Sequence, residues 1–185
     1  RNRLVSTTDP LGKIETYIYD GNDNLLTRVT PKNDTIAFVY DAVNQLTSKT
    51  LPGSQVTSYS YSPVGNLLTV TDPDSALIMT YDQANRLLTT NTVGSPNQPA
   101  VMLSYTYDKN GNRLTLADPP NTTTYVYDAL NRLTSLTSPV GANTFAYDAL
   151  SRRTAMTLPN GTSTTYSYDP ASQVTAIRHQ LSALS

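Results

Sequence analysis

The chain has 185 residues, 38% hydrophobic and only 15% charged, with 13 Lys and Arg against 14 Asp and Glu and no cysteine. A net charge of −1 leaves no basic excess for a nucleic-acid backbone, and the missing cysteines remove disulfides, thiolate nucleophiles and zinc–sulfur sites. No apolar run approaches the roughly 18 residues of a membrane span, no basic-then-apolar signal peptide opens the chain, and the Tyr- and Thr-rich composition favours strands.

In chain order, the predicted elements repeat. The opening Asn2-Arg3-Leu4 matches Asn131-Arg132-Leu133, so the array is expected to begin in mid-repeat, as a piece of a longer protein. A turn at Asp9-Pro10-Leu11-Gly12 comes next, then a first aromatic pair, Tyr17 and Tyr19, with Asp20 directly behind it. Tyr-Asp returns at Tyr40-Asp41, Tyr81-Asp82, Tyr107-Asp108, Tyr127-Asp128, Tyr147-Asp148 and Tyr168-Asp169; Tyr61-Ser62 is a copy that has lost the acid. Successive tyrosines lie 21, 21, 20, 26, 20, 20 and 21 residues apart. The long interval holds Thr92 to Pro99, rich in Pro, Gly and Asn, which reads as an enlarged loop. A second column stands two residues before each tyrosine: Tyr17, Phe38, Tyr59, Met79, Tyr105, Tyr125, Phe145 and Tyr166. Together the columns hold all 13 Tyr and both Phe, so the aromatics belong entirely to the repeat.

A spacing of two puts both columns on one face of a strand. Asp behind that strand can accept a backbone N–H two residues on and open a turn, and Asn or Gly then tolerates the positive φ that closes it. The turn is expected in a short form, as in Tyr127 to Leu133, and in a form one residue longer, as in Tyr107 to Leu114. An exit strand such as Leu133 to Thr137 follows and stops at a second turn, for example Leu51-Pro52-Gly53, Asp118-Pro119-Pro120, Pro139-Val140-Gly141 or Leu158-Pro159-Asn160-Gly161. The expected fold class is all-β: about eight consecutive antiparallel β-hairpins in a curved, repetitive sheet over residues 1–178, with an irregular tail at 179–185. A β-propeller with two repeats to a blade is the alternative architecture.

Candidate chemistry is sparse. His179 is the one histidine and, without cysteine, makes no zinc site. Nothing like Gly-x-Ser-x-Gly accompanies the many serines. Asp20-Gly21-Asn22-Asp23-Asn24 and Asp108-Lys109-Asn110-Gly111-Asn112 open like calcium loops, but the position that needs a bidentate acid is Pro31 in one and Pro119 in the other. Glu15 is the single glutamate and the aspartates recur periodically, so no unique carboxylate pair marks a general acid and base. No catalytic residue, metal or cofactor is expected. Arg86, Arg113, Arg132 and Arg152 recur on the exit from the turn and read as a solvated rim balancing the Tyr-Asp acids, with a basic stripe for an anionic partner as the other reading. The aromatic columns read as ring-on-ring packing between repeats, against a stripe exposed to stack on sugars.

Order, spacing and residue types together resemble the RHS/YD-repeat family, whose pattern is a Gly, a few residues, aromatic-x-Tyr-Asp, a short turn and Gly- or Asn-Arg-Leu. Gly161 to Asp169 and Tyr127 to Leu133 fit it closely, and the resemblance spans residues 1–178. Two features depart from it. The Arg common before the aromatic pair is replaced by residues such as Thr16, Ala37, Ser58, Ile78 and Thr124, and the motif that ends the core of self-cleaving members is missing. The resemblance implies hairpins in one long spiralling sheet that closes into a hollow shell, as in bacterial polymorphic toxins, insecticidal toxin-complex subunits, wall-associated proteins and teneurins. The function it implies is a non-enzymatic shell segment of a large secreted or cell-surface protein, a toxin that encapsulates its effector. An extracellular adhesion or carbohydrate-binding scaffold is the alternative. The partners implied are adjacent YD repeats of the parent chain, an enclosed toxin polypeptide and surface glycans.

Overall fold

The computed structural model describes residues 3–94 and 99–181, and all of its regular structure is β. Its contacts group into two units, Arg1–Val101 and Met102–Ser185. The first holds β1 (Ser6–Thr8), β2 (Ile14–Tyr19), β3 (Leu25–Val29), β4 (Thr35–Tyr40), β5 (Leu46–Leu51), β6 (Gln55–Tyr61), β7 (Leu67–Thr71), β8 (Ala76–Tyr81) and β9 (Leu87–Val93). The second holds β10 (Met102–Tyr107), β11 (Arg113–Asp118), β12 (Asn121–Tyr127), β13 (Leu133–Ser138), β14 (Gly141–Tyr147), β15 (Arg153–Thr157), β16 (Ser163–Tyr168) and β17 (Val174–Gln180). Within each unit every strand pairs antiparallel with the next in sequence, so each unit is a meander of hairpins.

The register sorts the side chains onto two unlike faces. One carries the aromatic columns, with apolar residues opposite the first column along the strand at five places: Tyr59 across from Val70, Tyr105 from Leu116, Tyr125 from Leu136, Phe145 from Met156 and Tyr166 from Ile177; Tyr17 and Phe38 instead face Arg28 and Lys49. The other carries mainly small hydroxyl and methyl groups, such as Thr124 across from Thr137 and Ala146 from Ala155, with the exposed Ile18, Val39 and Val126 among them. Hydroxyls on that face bond across the ladder, with Ser60 and Thr69 2.6 Å apart, Thr80 and Thr89 2.6 Å, and Thr106 and Thr115 2.7 Å. Cross-strand pairs of both kinds are worth about 0.2–1 kcal/mol each.

Among the described residues only Tyr125 and Thr164 are buried, so neither face is covered by a second layer. The Tyr-bearing strands show this directly: in β14 the residues alternate half-buried and exposed, the Tyr side being the half-buried one. With no thick core, stability has to accumulate from one hairpin to the next.

Two boundaries differ from those the sequence suggests. Strand β17 runs through Gln180, so His179 lies in the ladder rather than in a tail. It stands opposite Thr164, whose hydroxyl is 2.9 Å from its Nδ1. Its neighbours Arg178 and Gln180 face Thr165 and Ser163; the chain beyond residue 181 lies outside the described residues. In the long interval, β9 continues to Val93, and the Thr92 N–H donates to the Val101 carbonyl at 2.9 Å. The middle of the proposed loop, 95–98, lies outside the described residues.

Candidate functional site

The repeated residues gather along one rim of the hairpins. At Asp128 the N–H groups of Leu130 and Arg132 both donate to Oδ1, at 2.9 and 3.0 Å. The Asp128 N–H donates to the Arg132 carbonyl, and the Asn131 N–H donates back to the Asp128 carbonyl, both at 3.0 Å. Asn131, the fourth residue of the turn counting Asp128 as the first, takes a φ of +60°. Asp20, Asp41, Asp82, Asp108 and Asp148 make the same pair of side-chain bonds to their third and fifth residues. Asp169 makes the bond to its fifth residue, Gln173. Ser62 replaces the missing acid with its hydroxyl, which accepts from the Asn66 N–H at 3.1 Å.

The expected two turn lengths are one. Tyr127 pairs with Leu133 and Tyr107 with Arg113, six residues on in both cases. In the supposed long form the Arg-Leu pair has slid one position along the same turn. As a result Arg113 is not equivalent to Arg86, Arg132 and Arg152. Those three are fifth residues of their turns, whereas Arg113, like Arg153, begins the exit strand where Leu133 and Leu67 stand elsewhere.

A β-bulge follows each turn, as the register shift at Tyr127 and Tyr147 shows. Between hairpins the ladder stops short of this rim: β13 and β14 pair only from Ser135–Thr144 onward. The gap beyond is bridged by side chains. The Tyr147 hydroxyl donates to the Leu133 carbonyl at 2.9 Å, Tyr61 to Leu46 at 2.9 Å, Tyr81 to Leu67 at 2.9 Å and Tyr168 to Arg153 at 2.8 Å. Each of these four tyrosines thus satisfies a carbonyl that the ladder leaves open in the preceding hairpin.

The arginines cross the same gap. Arg132 donates from Nε to Asp128 Oδ2 at 2.7 Å and from Nη1 to the Asp148 carbonyl at 3.0 Å, and its guanidinium lies 4.8 Å from the Tyr147 ring centre. Arg152 repeats this with Asp148, the Asp169 carbonyl and the Tyr168 ring at 2.6, 3.1 and 4.7 Å. Arg113 and Arg153 instead cover the first-column rings of Tyr125 and Tyr166, at 4.5 and 4.7 Å, and donate to their hydroxyls. The Tyr-Asp acids do balance Arg86, Arg132 and Arg152, but the rim is not simply solvated as the sequence suggests: Arg132 and Arg152 are partly buried clamps between repeats. It also expects ring on ring, whereas these Tyr rings are faced by guanidinium groups, a contact worth about 0.5–1 kcal/mol at exposed sites.

The same contacts set the acidity of the turn. The guanidinium of Arg132, with its backbone N–H, holds the Asp128 carboxyl below the usual aspartate value. Hydrogen bonds from the side chain of Asn112 at Asp108, from that of Asn24 at Asp20, and from the backbone of Arg86 at Asp82 do likewise. Burial pushes the Tyr40, Tyr61 and Tyr127 phenols up. The two calcium-like segments have their donors turned to the next turn: the side-chain amides of Asn22 and Asn24 both donate to Asn44 Oδ1, and those of Asn110 and Asn112 to Asn131 Oδ1. Among the described residues no three His, Cys, Asp or Glu side chains group as metal ligands would.

With this geometry in view, the comparisons with known proteins are specific. A family model described as Teneurin YD-shell matches residues 50–179, well over half of the chain. The chain belongs to the YD-shell family. A second model, RHS Repeat, matches residues 1–35 of this YD-shell chain. The crystal structure of TcdB2-TccC3-TEV matches 92% of it at 24% identity with a TM-score of 0.60. The Photorhabdus luminescens Tc holotoxin pore matches 92% at 22% identity with a TM-score of 0.59. In both cases the YD-shell chain spans 9% of the matched chain, and at these identities the likeness is one of fold. Among curated proteins nothing matches.

Proposed function

We propose that this YD-shell chain is a structural segment in the wall of a larger secreted or cell-surface protein of the toxin type, that the wall encloses an effector polypeptide, and that the segment itself catalyses nothing. The observation that carries the reading is the rim. Its Asn, Arg and Tyr side chains are engaged with the neighbouring hairpin, while the Asp side chains hold their own turns, which is what a wall built by repetition requires. The likeness in fold to two toxin-complex structures supports the enclosing role. A sugar-binding surface fits less well, because guanidinium groups already face several of the rings that would stack on it. The same wall in an extracellular scaffold is the second reading, favoured by the teneurin match over residues 50–179.

Protease treatment of the intact parent protein separates the two. The encapsulation reading expects a polypeptide that resists digestion while the wall is closed and is cut once mild acid or urea opens it. A parent in which every segment outside the wall is cut at the same rate, opened or not, contradicts enclosure and leaves the scaffold.

A further inference from the structure

We infer that a two-residue code on the Tyr-Asp rim decides which repeat fits beside which: the fifth residue of one turn selects the fourth residue of the next. The code holds whatever the wall encloses.

Three pairs join Asn to Asn. The amide of Asn24 reaches Asn44 at 2.7 Å, Asn66 reaches Asn85 at 2.8 Å and Asn112 reaches Asn131 at 2.8 Å. Three pairs join Arg to a shorter or acidic residue. Arg132 reaches the Ser151 hydroxyl at 3.2 Å, Arg152 reaches that of Ser172 at 3.3 Å, and Arg3 pairs with Asp23 at 3.0 Å. Gln45 stands against a glycine: a Cβ on Gly65 would lie 3.3 Å from its Nε2.

The matching is one of length. Neighbouring turns on one rim are two strands apart, about 9–10 Å at the normal strand spacing. Two side chains of middling length span that distance, and so do a long one and a short one. At Asp23 the partner of Arg3 has the length of Asn but carries a charge; Arg against the neutral Asn amide has neither that charge nor the short hydroxyl that Arg132 and Arg152 reach, and Asn against Ser would leave an amide short of its partner. Backbone conformation gives a second, independent reason. The fourth residue must hold a positive φ, a conformation in which Asn and Asp are several-fold enriched. Ser151 and Ser172 hold it nevertheless, at +62° and +63°. Each faces an arginine, and among the described residues the fifth-position asparagines reach only asparagines in the next turn.

The test is a double-mutant cycle on the full chain, read by urea unfolding. Asn131→Ser alone and Asn112→Arg alone should each lower the folded-to-unfolded ratio by about 5–30-fold. Combining them rebuilds an Arg–Ser pair, and the double variant should be at least fivefold more stable than the product of the single effects predicts. The reciprocal cycle, Arg132→Asn with Ser151→Asn, should show the same coupling. Asn112→Arg with Ser151→Asn, on turns that do not face each other, should be additive. Additive effects in both facing cycles, or double variants that fail to fold where the singles fold, would overturn the code.

Discussion

At the Tyr-Asp rim every hairpin closes through the same five-residue turn, whereas the turns of the opposite rim vary. There, Asp9, Thr30 and Leu158 each open a five-residue turn closed by a bond from their own N–H to the carbonyl four residues on. Asp72 opens a tighter one that closes on Ser75, and Ser138–Gly141 and Asp118–Asn121 close with two residues between the paired ends. The difference follows from what joins neighbouring hairpins. At the variable rim the chain itself makes the crossing, so any turn that brings the strands back together will do. At the Tyr-Asp rim the crossing is made by side chains alone, and their reach fixes the turn.

If that contrast is right, the two rims should fail in different ways. The largest effect is expected from backbone geometry at the variable rim. Gly141 sits at a φ of +120°, and a Cβ there would come within 2.7 Å of the Pro159 Cβ. Gly141→Ala should cost about 1–3 kcal/mol in denaturant unfolding. Next comes Asp128→Ala, which removes the acceptor of two turn N–H groups and of the Arg132 guanidinium. It should lower the thermal midpoint by about 2–4 °C, while Asp118→Ala at the other rim should leave it unchanged within about 1 °C. An equal loss from both aspartates would erase the distinction.

Acid should act on the Tyr-Asp rim in particular. Asp20, Asp82, Asp108 and Asp128 are held below their ordinary value by their turns. A carboxyl whose folded value is depressed contributes stability that is complete above the unfolded value and is lost as pH falls through the folded one. The midpoint should therefore be flat above about pH 5 and fall as pH drops below about 4. Asp128→Ala should flatten that fall.

Much of this was legible in the sequence. The two-residue spacing of the aromatics placed the strands, and Asp followed by Asn or Gly placed the turns. What was not legible depends on neighbours about 20 residues apart, which meet only after the turns have closed. Arg113 and Arg132 look alike in sequence because both precede a leucine, yet a one-residue slide puts one on the strand and the other in the turn. The fifth-residue asparagines gave a signal, since Asn24, Asn66 and Asn112 are each followed by an Asn 19 or 20 positions later. His179 was misplaced because β17 ends without the Pro or Gly that closes the other exit strands.

The account rests on side chains tying one hairpin to the next across the gap at the Tyr-Asp rim. Native-state amide hydrogen exchange on Tyr147→Phe tests this directly, because the variant keeps the ring and removes only the bond to the Leu133 carbonyl. The account predicts lost protection for amides of β13, β14 and the Asp148 turn near that rim, with Thr137 to Ala142 at the other rim keeping theirs. Protection lost equally at both rims, or at neither, would contradict it.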